Sequence, residues 1–363
     1  MNNILVCLDS FKQSISSIDA ANSIKSGWLS VRPEDQITVV PFADGGEGTL
    51  EAIQSQIVNS QVIHKRIRNV NGGLRNSFWL LLPGGTAIVE LAEACGISKF
   101  DKLAPTTAST FPLGELILDA LAHPKMTKLI VTLGGSASTD GGTGLLKALG
   151  YQFKDSKNLL IENDVRKLKN LEKIIPPVSI KLPKNGVEVW VDVFIDMLGE
   201  RGTARTFARQ KGASAMEIVE LDAALSKFHE IARGKDFPGA GAAGGAAYSL
   251  GNFLNAKIRS GSEAIAELVE LRERARLCDL VITGEGIFDS ESSKGKATGF
   301  ILDIARDLNK PVALVCGSLL AEIPKTVGWS FFLLDVAIDL HDSISNSKKY
   351  LLQAGKELAL NWK

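Results

Sequence analysis

The sequence predicts an α/β protein in which a Rossmann-like, doubly wound parallel-sheet domain carries a second, inserted domain of mixed α+β character. Three observations lead there. At 363 residues the chain exceeds the roughly 250 to 300 residues at which a single hydrophobic core stops growing, so two domains are expected. Short apolar runs recur at residues 4–8, 37–40, 129–133, 280–282 and 312–315, and they are continuous rather than alternating, which suits strands covered by helices on both faces. One segment alternates instead: Val187, Val189, Val191 and Val193 are interleaved with Glu188, Trp190 and Asp192, the pattern of a strand with one polar face.

Taken in order, the first apolar run ends at Asp9 and is followed by a helical pattern, Ile18, Ala21, Ile24 and Trp28, with Ser16 or Ser17 placed to cap it. The run at 37–40 leads through a glycine-rich stretch into a second helical pattern, Leu50, Ile53 and Ile57. Residues 62–105 read as hairpin-like strands, with turn signals at Asn71-Gly72-Gly73 and Pro83-Gly84-Gly85. This strand and helix alternation assigns residues 1–61, 106–142 and 277–363 to the Rossmann-like domain, and residues 62–105 and 143–276 to the inserted one.

The composition excludes several classes. Lys and Arg total 41 against 41 Asp and Glu, which leaves no basic field for nucleic acid or an anionic membrane, so any anion selectivity is local. Cys7, Cys95, Cys278 and Cys316 form no Cys-x-x-Cys pair and suggest neither a disulfide framework nor a zinc knuckle. No apolar stretch approaches the ~20 residues of a membrane span, and the first run is too short for a secretory signal, so a cytoplasmic protein is expected. His64, His123, His229 and His341 stand alone and read as surface or capping residues.

Acids and glycines gather where strand-like runs end. In open α/β sheets, ligands sit beyond the carboxyl ends of strands, so Asp9, Ser10 and Lys12 are placed to meet substrate groups. In Asp44-Gly45-Gly46-Glu47-Gly48-Thr49 the glycines allow backbone N–H groups to approach an anion at a helix N-terminus, while Asp44 and Glu47 suit a magnesium ion or a substrate hydroxyl. The segment Gly134-Gly135-Ser136-Ala137-Ser138-Thr139-Asp140-Gly141-Gly142 is the strongest candidate for a nucleotide phosphate cradle, though it is not a Walker A loop. Pro238-Gly239-Ala240-Gly241-Ala242-Ala243-Gly244-Gly245 contains a Gly-x-Gly-x-x-Gly, but no strand precedes it; its glycines serve either phosphate binding or close packing. Asp192 and Asp289 are carboxylates able to take a proton from an alcohol or to hold magnesium. Lys294 and Lys296 add positive charge beside Gly284-Glu285-Gly286, and Arg209, Gln210 and Lys211 form a polar cluster of the kind that is commonly just solvated.

In this order the pieces resemble the type I glycerate kinase family, the bacterial glycerate 2-kinases, along nearly the whole chain. The carrying segments are Asp9 to Lys12, Ala43 to Thr49, Leu133 to Gly144, Gln210-Lys211-Gly212-Ala213, Pro238 to Gly245, Ile282 to Gly286 with Asp289, and Gly295-Lys296-Ala297. The resemblance implies two α/β domains with the active site in the cleft between them, and ATP-dependent, magnesium-assisted phosphorylation of D-glycerate, typically to 2-phosphoglycerate. On that reading Asp192, Asp289, Lys12 and Asp44 are the catalytic set, with Asp192 and Asp289 also the metal ligands. Asp9, Ser10, Lys12, Gly45, Gly46, Glu47 and Lys296 would hold the substrate, and Gly134, Gly135, Ser136, Ser138, Asp140, Gly241, Gly244 and Glu285 the nucleotide. Three positions depart from the family pattern: Ile195-Asp196 stands for Asn-Pro, Ile287 for an arginine, and Pro112-Leu113 for Gly-Thr. They leave open a kinase of another small hydroxy acid or a non-catalytic metabolite-binding relative; the glycines at 239–244 make a dinucleotide-dependent oxidoreductase the remaining alternative. A homodimer is neither required nor excluded by the sequence.

Overall fold

The computed structural model describes residues 1–69, 72–290, 292 and 296–362; Asn71, Lys294 and Gly295, singled out above, lie outside them. Along the chain the strands are β1 (Asn3–Leu8), β2 (Gln36–Val39), β3 (Gln61–Arg68), β4 (Leu74–Leu81), β5 (Thr86–Glu90), β6 (Lys128–Thr132), β7 (Gln152–Lys154), β8 (Lys173–Ile175), β9 (Val187–Val191), β10 (Lys257–Ser260), β11 (Leu280–Phe288), β12 (Val312–Leu319) and β13 (Val327–Phe332). They fall into two compact units: Met1–Asp44, Glu51–Val58 and Ser262–Lys363 form the first, and Gly45–Leu50 with Asn59–Gly261 the second.

The first unit holds a five-stranded sheet in the order β13-β12-β11-β1-β2, with every pairing parallel. Counted within the unit from the β2 edge, this is the doubly wound order 2-1-3-4-5, whose switch point lies between β1 and β11. The predicted continuity of the runs follows from burial on both faces: residues 4–8 are all buried, as are 280–284. On one face, Ile4, Val6, Leu8, Ile282 and Val315 pack on Trp28 of the helix Ser17–Leu29 and on Tyr350 and Leu351 of the helix Ser347–Asn361. Of the two serines named as caps, Ser16 does the work, accepting from the Asp19 N–H at 3.1 Å.

The second unit holds a six-stranded mixed sheet, β10-β9-β6-β5-β4-β3, in which β5, β6, β9 and β10 are parallel and the β3–β4–β5 meander antiparallel. The expected turn at Pro83-Gly84-Gly85 is present, with the Gly85 N–H bonded to Leu82 O at 3.1 Å. Two sequence expectations are corrected here. Residues 106–142 do not join the first sheet, because β6 is hydrogen-bonded between β5 and β9; a continuous apolar run reports burial on both faces, which either sheet supplies. Residues 262–276 belong to the first unit, where the helix Leu271–Leu277 contacts β1. Nor does β9 show a polar face: Trp190 is only 2 % exposed, and Glu188 is half-buried against Lys128. Among the described residues no helix is long and apolar enough to cross a membrane, and all four cysteines are buried and free.

Candidate functional site

Each unit carries polar residues at the carboxyl edge of its parallel strands. In the first unit the chain leaving β1 crosses the switch point as Asp9 to Ser14, beside the outer end of β11 and the Gly317-Ser318 end of β12, and these enclose a cavity of about 450 Å³. That volume falls within the ~300–1,000 Å³ typical of small-molecule sites. Its polar lining comprises Asp9, Ser10, Lys12, Asp44, Glu285, Asp289, Ser292 and Lys296, while Phe11, Ile287, Leu333, Leu340 and Ile344 form an apolar side. Phe11 and Ile15 bridge each other across a tight turn, which fixes where Lys12 is presented. Asp289 accepts from the Ser292 N–H at 3.0 Å, and Lys296 sits at the N-cap of the helix Ala297–Asp307, a position that adds the positive end of the helix to its own charge.

Asp9 is buried and accepts from the Ser10 N–H at 2.6 Å. Burial first, then the charge of Asp44 and more weakly that of Glu285, push its carboxyl up to about 8 against the pull of Lys12. Burial also raises Glu285, with Asp289 adding to it, and Thr298, Ser292 and Lys12 oppose the rise. A neutral Asp9 at pH 7 donates a hydrogen bond without repelling an anion. The linkage has a definite sign: the folded value lies above the ordinary 3.8, so Asp9 stabilises fully below 3.8 and that contribution is lost as pH rises to about 8. Urea unfolding of Asp9→Asn is therefore expected to decline less between pH 4 and 8 than the parent does; identical slopes would show that Asp9 titrates normally.

In the second unit the same edge is formed by the ends of β5, β6 and β9. Glu90, at the end of β5, is buried and accepts from the Leu50 N–H at 2.9 Å and the Gly48 N–H at 3.3 Å, which anchors the Gly45–Leu50 stretch. That stretch crosses the end of β6, where the Gly134 N–H donates to Gly45 O at 3.0 Å; a Cβ on Gly134 would run into the Cα and N of Gly46. Gly134 is thus required for close backbone packing, and Gly45 for its φ of +101°. Glu47 is exposed and accepts from Ser98 Oγ at 2.7 Å.

Beyond Gly134 the chain turns at Gly135, whose φ is +67°. Ser136 and Ser138 are 8 % and 1 % exposed, and their hydroxyls lie 3.2 Å apart. Beneath this turn lies Lys211, 4 % exposed, whose Nζ donates to Ser138 O at 2.5 Å and lies 3.4 Å from Ser136 Oγ. The turn that follows the helix Thr203–Phe207, closed by the Ala213 N–H on Ala208 O at 3.0 Å with Gly212 at φ +91°, directs Lys211 inward. Burial lowers the ammonium to about 8, resisted by the charges of Asp140, Asp192 and Cys95. Asp192 follows β9 directly and is half-buried.

Several site expectations change in this light. The Asp140 carboxylate is engaged within the fold: it accepts from Thr110 N–H and Oγ1, both at 2.8 Å, from Gly142 N–H at 3.0 Å and from Gly144 N–H at 3.1 Å. Gly241 and Gly244 are closely packed. The Gly241 N–H donates to Ile195 O at 3.0 Å, Gly244 O accepts from the Gly141 N–H at 2.8 Å, and a Cβ on Gly244 would strike the Ser138 carbonyl. The Gly-x-Gly-x-x-Gly loop is a bed for the serine turn, with no strand before it. Glu285 lines the first unit's cavity with Asp9 and Lys12. Asp192 belongs to the second unit and Asp289 to the first. Lys211 is the residue that spacing undervalued; its only signal was its place in the Gln210-Lys211-Gly212-Ala213 segment.

The model of the glycerate kinase family matches residues 4–363. The chain belongs to the glycerate kinase family. It is 37 % identical to a glycerate 2-kinase of Escherichia coli (strain K12) over 333 residues, covering 88 % of this chain and 86 % of that protein. To a glycerate kinase of Bacillus subtilis (strain 168) it is 32 % identical over 377 residues, covering 99 % and 97 %. A crystal structure from Salmonella typhimurium LT2, provisionally named glycerate kinase 2, superposes with a TM-score of 0.80 at 29 % identity and covers 99 % of this chain and 98 % of that one. Both carboxyl-edge sites therefore lie within the span that the glycerate kinase family shares.

Proposed function

We propose that this protein is a glycerate kinase that transfers the γ-phosphoryl group of ATP to D-glycerate, giving 2-phosphoglycerate, with magnesium as the required cation. The observation that carries the reading is the first unit's cavity, which gathers Asp9, Lys12, Asp44, Asp289 and Lys296 at a topological switch point in a chain of this family. There Lys12, Ser10 and Lys296 receive the substrate carboxylate, neutral Asp9 donates to it, and Asp289 takes the proton of the attacking hydroxyl. The nucleotide phosphates are assigned to the Gly134–Ser138 turn of the second unit. Its serine hydroxyls and the Ser138 N–H are spent within the turn, and the Gly134 N–H on Gly45 O, so the N–H groups between Gly134 and Ser138 are what it offers an anion.

Magnesium fits the donors present. Magnesium is commonly held through one or two carboxylates together with substrate phosphates and water, and carboxylates stand at both carboxyl edges. On this reading Asp192, half-buried directly after β9 at the second unit's edge, is the carboxylate assigned to hold it. Bound there, the cation would neutralise phosphate charge. Four free buried thiols accord with a reducing, cytoplasmic setting.

The test is an ADP-release assay with MgATP and D-glycerate, L-glycerate, glycerol and other small hydroxy acids, with the product's phosphate position read by NMR. Turnover that needs both D-glycerate and magnesium is expected. Ile287, exposed on the apolar side of the cavity, favours one second reading, a preference for a hydroxy acid bearing an apolar substituent; faster turnover of such an acid than of D-glycerate would establish it.

A further inference from the structure

We infer that Lys211 is a positioning residue for the nucleotide phosphates: buried beneath the Gly134–Ser138 turn, its ammonium fixes that turn in an anion-receiving shape and places positive charge under it. This deepens, and rests on, the assignment of the phosphates to that turn. Three observations combine. The hydrogen bonds of the Lys211 ammonium go to the turn, to Ser138 O at 2.5 Å and to Ser136 Oγ at 3.4 Å, rather than to a carboxylate. Asp140 and Asp192 support the ammonium by their charge, but the four hydrogen bonds that Asp140 accepts come from Thr110, Gly142 and Gly144, so the ammonium's own hydrogen bonds are directed to the turn. The turn is held on its other sides as well: Gly134 N–H on Gly45 O, Ile97 N–H on Gly135 O at 2.8 Å, and Gly244 packed under Ser138.

A buried ammonium is costly unless its hydrogen bonds and charge are met, and an apolar side chain of similar length fills the same space without that penalty. Packing alone therefore does not call for lysine here. A phosphate held at the turn completes the arrangement: the ammonium polarises the peptide whose carbonyl is Ser138 O, and its charge beneath the turn attracts the anion.

The experiment compares the full-length protein with Lys211→Met, which keeps the volume, and Lys211→Gln, which keeps a donor for Ser138 O but removes the charge. Titration with MgADP by calorimetry, KM for ATP and for D-glycerate, and thermal unfolding are the readouts. Lys211→Gln is expected to melt near the parent temperature, to bind MgADP about 10- to 100-fold more weakly and to raise KM for ATP to match, while KM for D-glycerate changes less than about twofold. Lys211→Met is expected to lose at least as much nucleotide affinity. A folded variant that binds MgADP as tightly as the parent overturns the inference, and so does failure of both variants to fold, which would assign Lys211 to the fold alone. Absence of turnover in the parent defeats the kinase reading, whereas MgADP binding still decides the role of Lys211.

Discussion

Asp192→Asn is expected to lower kcat with MgATP and D-glycerate by about 10²- to 10⁴-fold, the scale of several kcal/mol lost from charge stabilisation in the transition state. The effect should be largest at low magnesium and partly recovered as magnesium is raised, because the variant keeps a neutral oxygen ligand but loses the charge that retains the cation. Asp289→Asn is expected to behave otherwise. A general base acts by proton transfer, so its loss lowers kcat at every magnesium concentration and removes the acid limb of the pH profile. If Asp192→Asn turns over like the parent at limiting magnesium, Asp192 is no part of the reaction; if the two variants respond to magnesium alike, the division of labour between them is wrong. Steady-state kinetics at five or six magnesium concentrations separates these cases.

This division follows from what the other carboxylates are already doing. Glu90 and Asp140 also lie near glycine loops, yet Glu90 accepts from backbone N–H groups and Asp140 from backbone N–H groups and the Thr110 hydroxyl, so each serves to hold loops in place. In the first unit the carboxylates are crowded instead. Asp9, Asp44, Glu285 and Asp289 line one cavity with Lys12 and Lys296, and the crowding together with burial keeps Asp9 protonated at neutral pH. On this reading one edge presents backbone with Asp192 beside it, which suits phosphates with a cation. The other gathers Lys12, Lys296 and a neutral Asp9 beside the Asp44, Glu285 and Asp289 carboxylates, groups able to hold a small hydroxy acid by its carboxylate and its hydroxyl.

Much of this was legible in the sequence. The continuous runs at residues 4–8, 280–282 and 312–315 are parallel strands, Ser16 caps its helix, and Asp9 and Lys12 lie at a carboxyl edge where ligands are expected. The sheet to which residues 129–133 belong was not legible, because double-sided burial writes the same pattern whichever strands flank it. The alternation at residues 187–193 misled for a related reason: Trp190 is a large apolar residue at a position counted as polar, and Glu188 is half-buried through Lys128 and Arg259 rather than facing water. Among site residues, spacing cannot say where a carboxylate points. Asp140 lies in the glycine-rich stretch that looks most like a phosphate cradle, and its side chain turns away to meet Thr110, thirty positions earlier. Lys211 is hidden for the converse reason, since lysine beside arginine and glutamine reads as solvated until the fold buries it.

Asp140→Ala is expected to destabilise the protein by about 3–5 kcal/mol, close to the largest loss a single substitution produces. The carboxylate is 2 % exposed and serves four donors at 2.8 to 3.1 Å, so its removal strands the N–H groups of Thr110, Gly142 and Gly144 and the Thr110 hydroxyl in a dry interior. Thr110 Oγ1 in turn accepts from the Leu145 N–H at 2.9 Å, so the loss spreads to the start of the helix Thr143–Ala148 and to the helix Phe111–Ala122 beside it. Asp140→Asn retains one acceptor oxygen but presents an amide N–H₂ where an acceptor was needed, and should cost nearly as much. Urea or thermal unfolding measures both. Were Asp140 a nucleotide ligand instead, Asp140→Asn would leave the unfolding midpoint in place and raise KM for ATP alone. A displaced midpoint, with the folded fraction still binding MgADP as the parent does, confirms that the most acidic position of the glycine-rich stretch builds the cradle and does not line it.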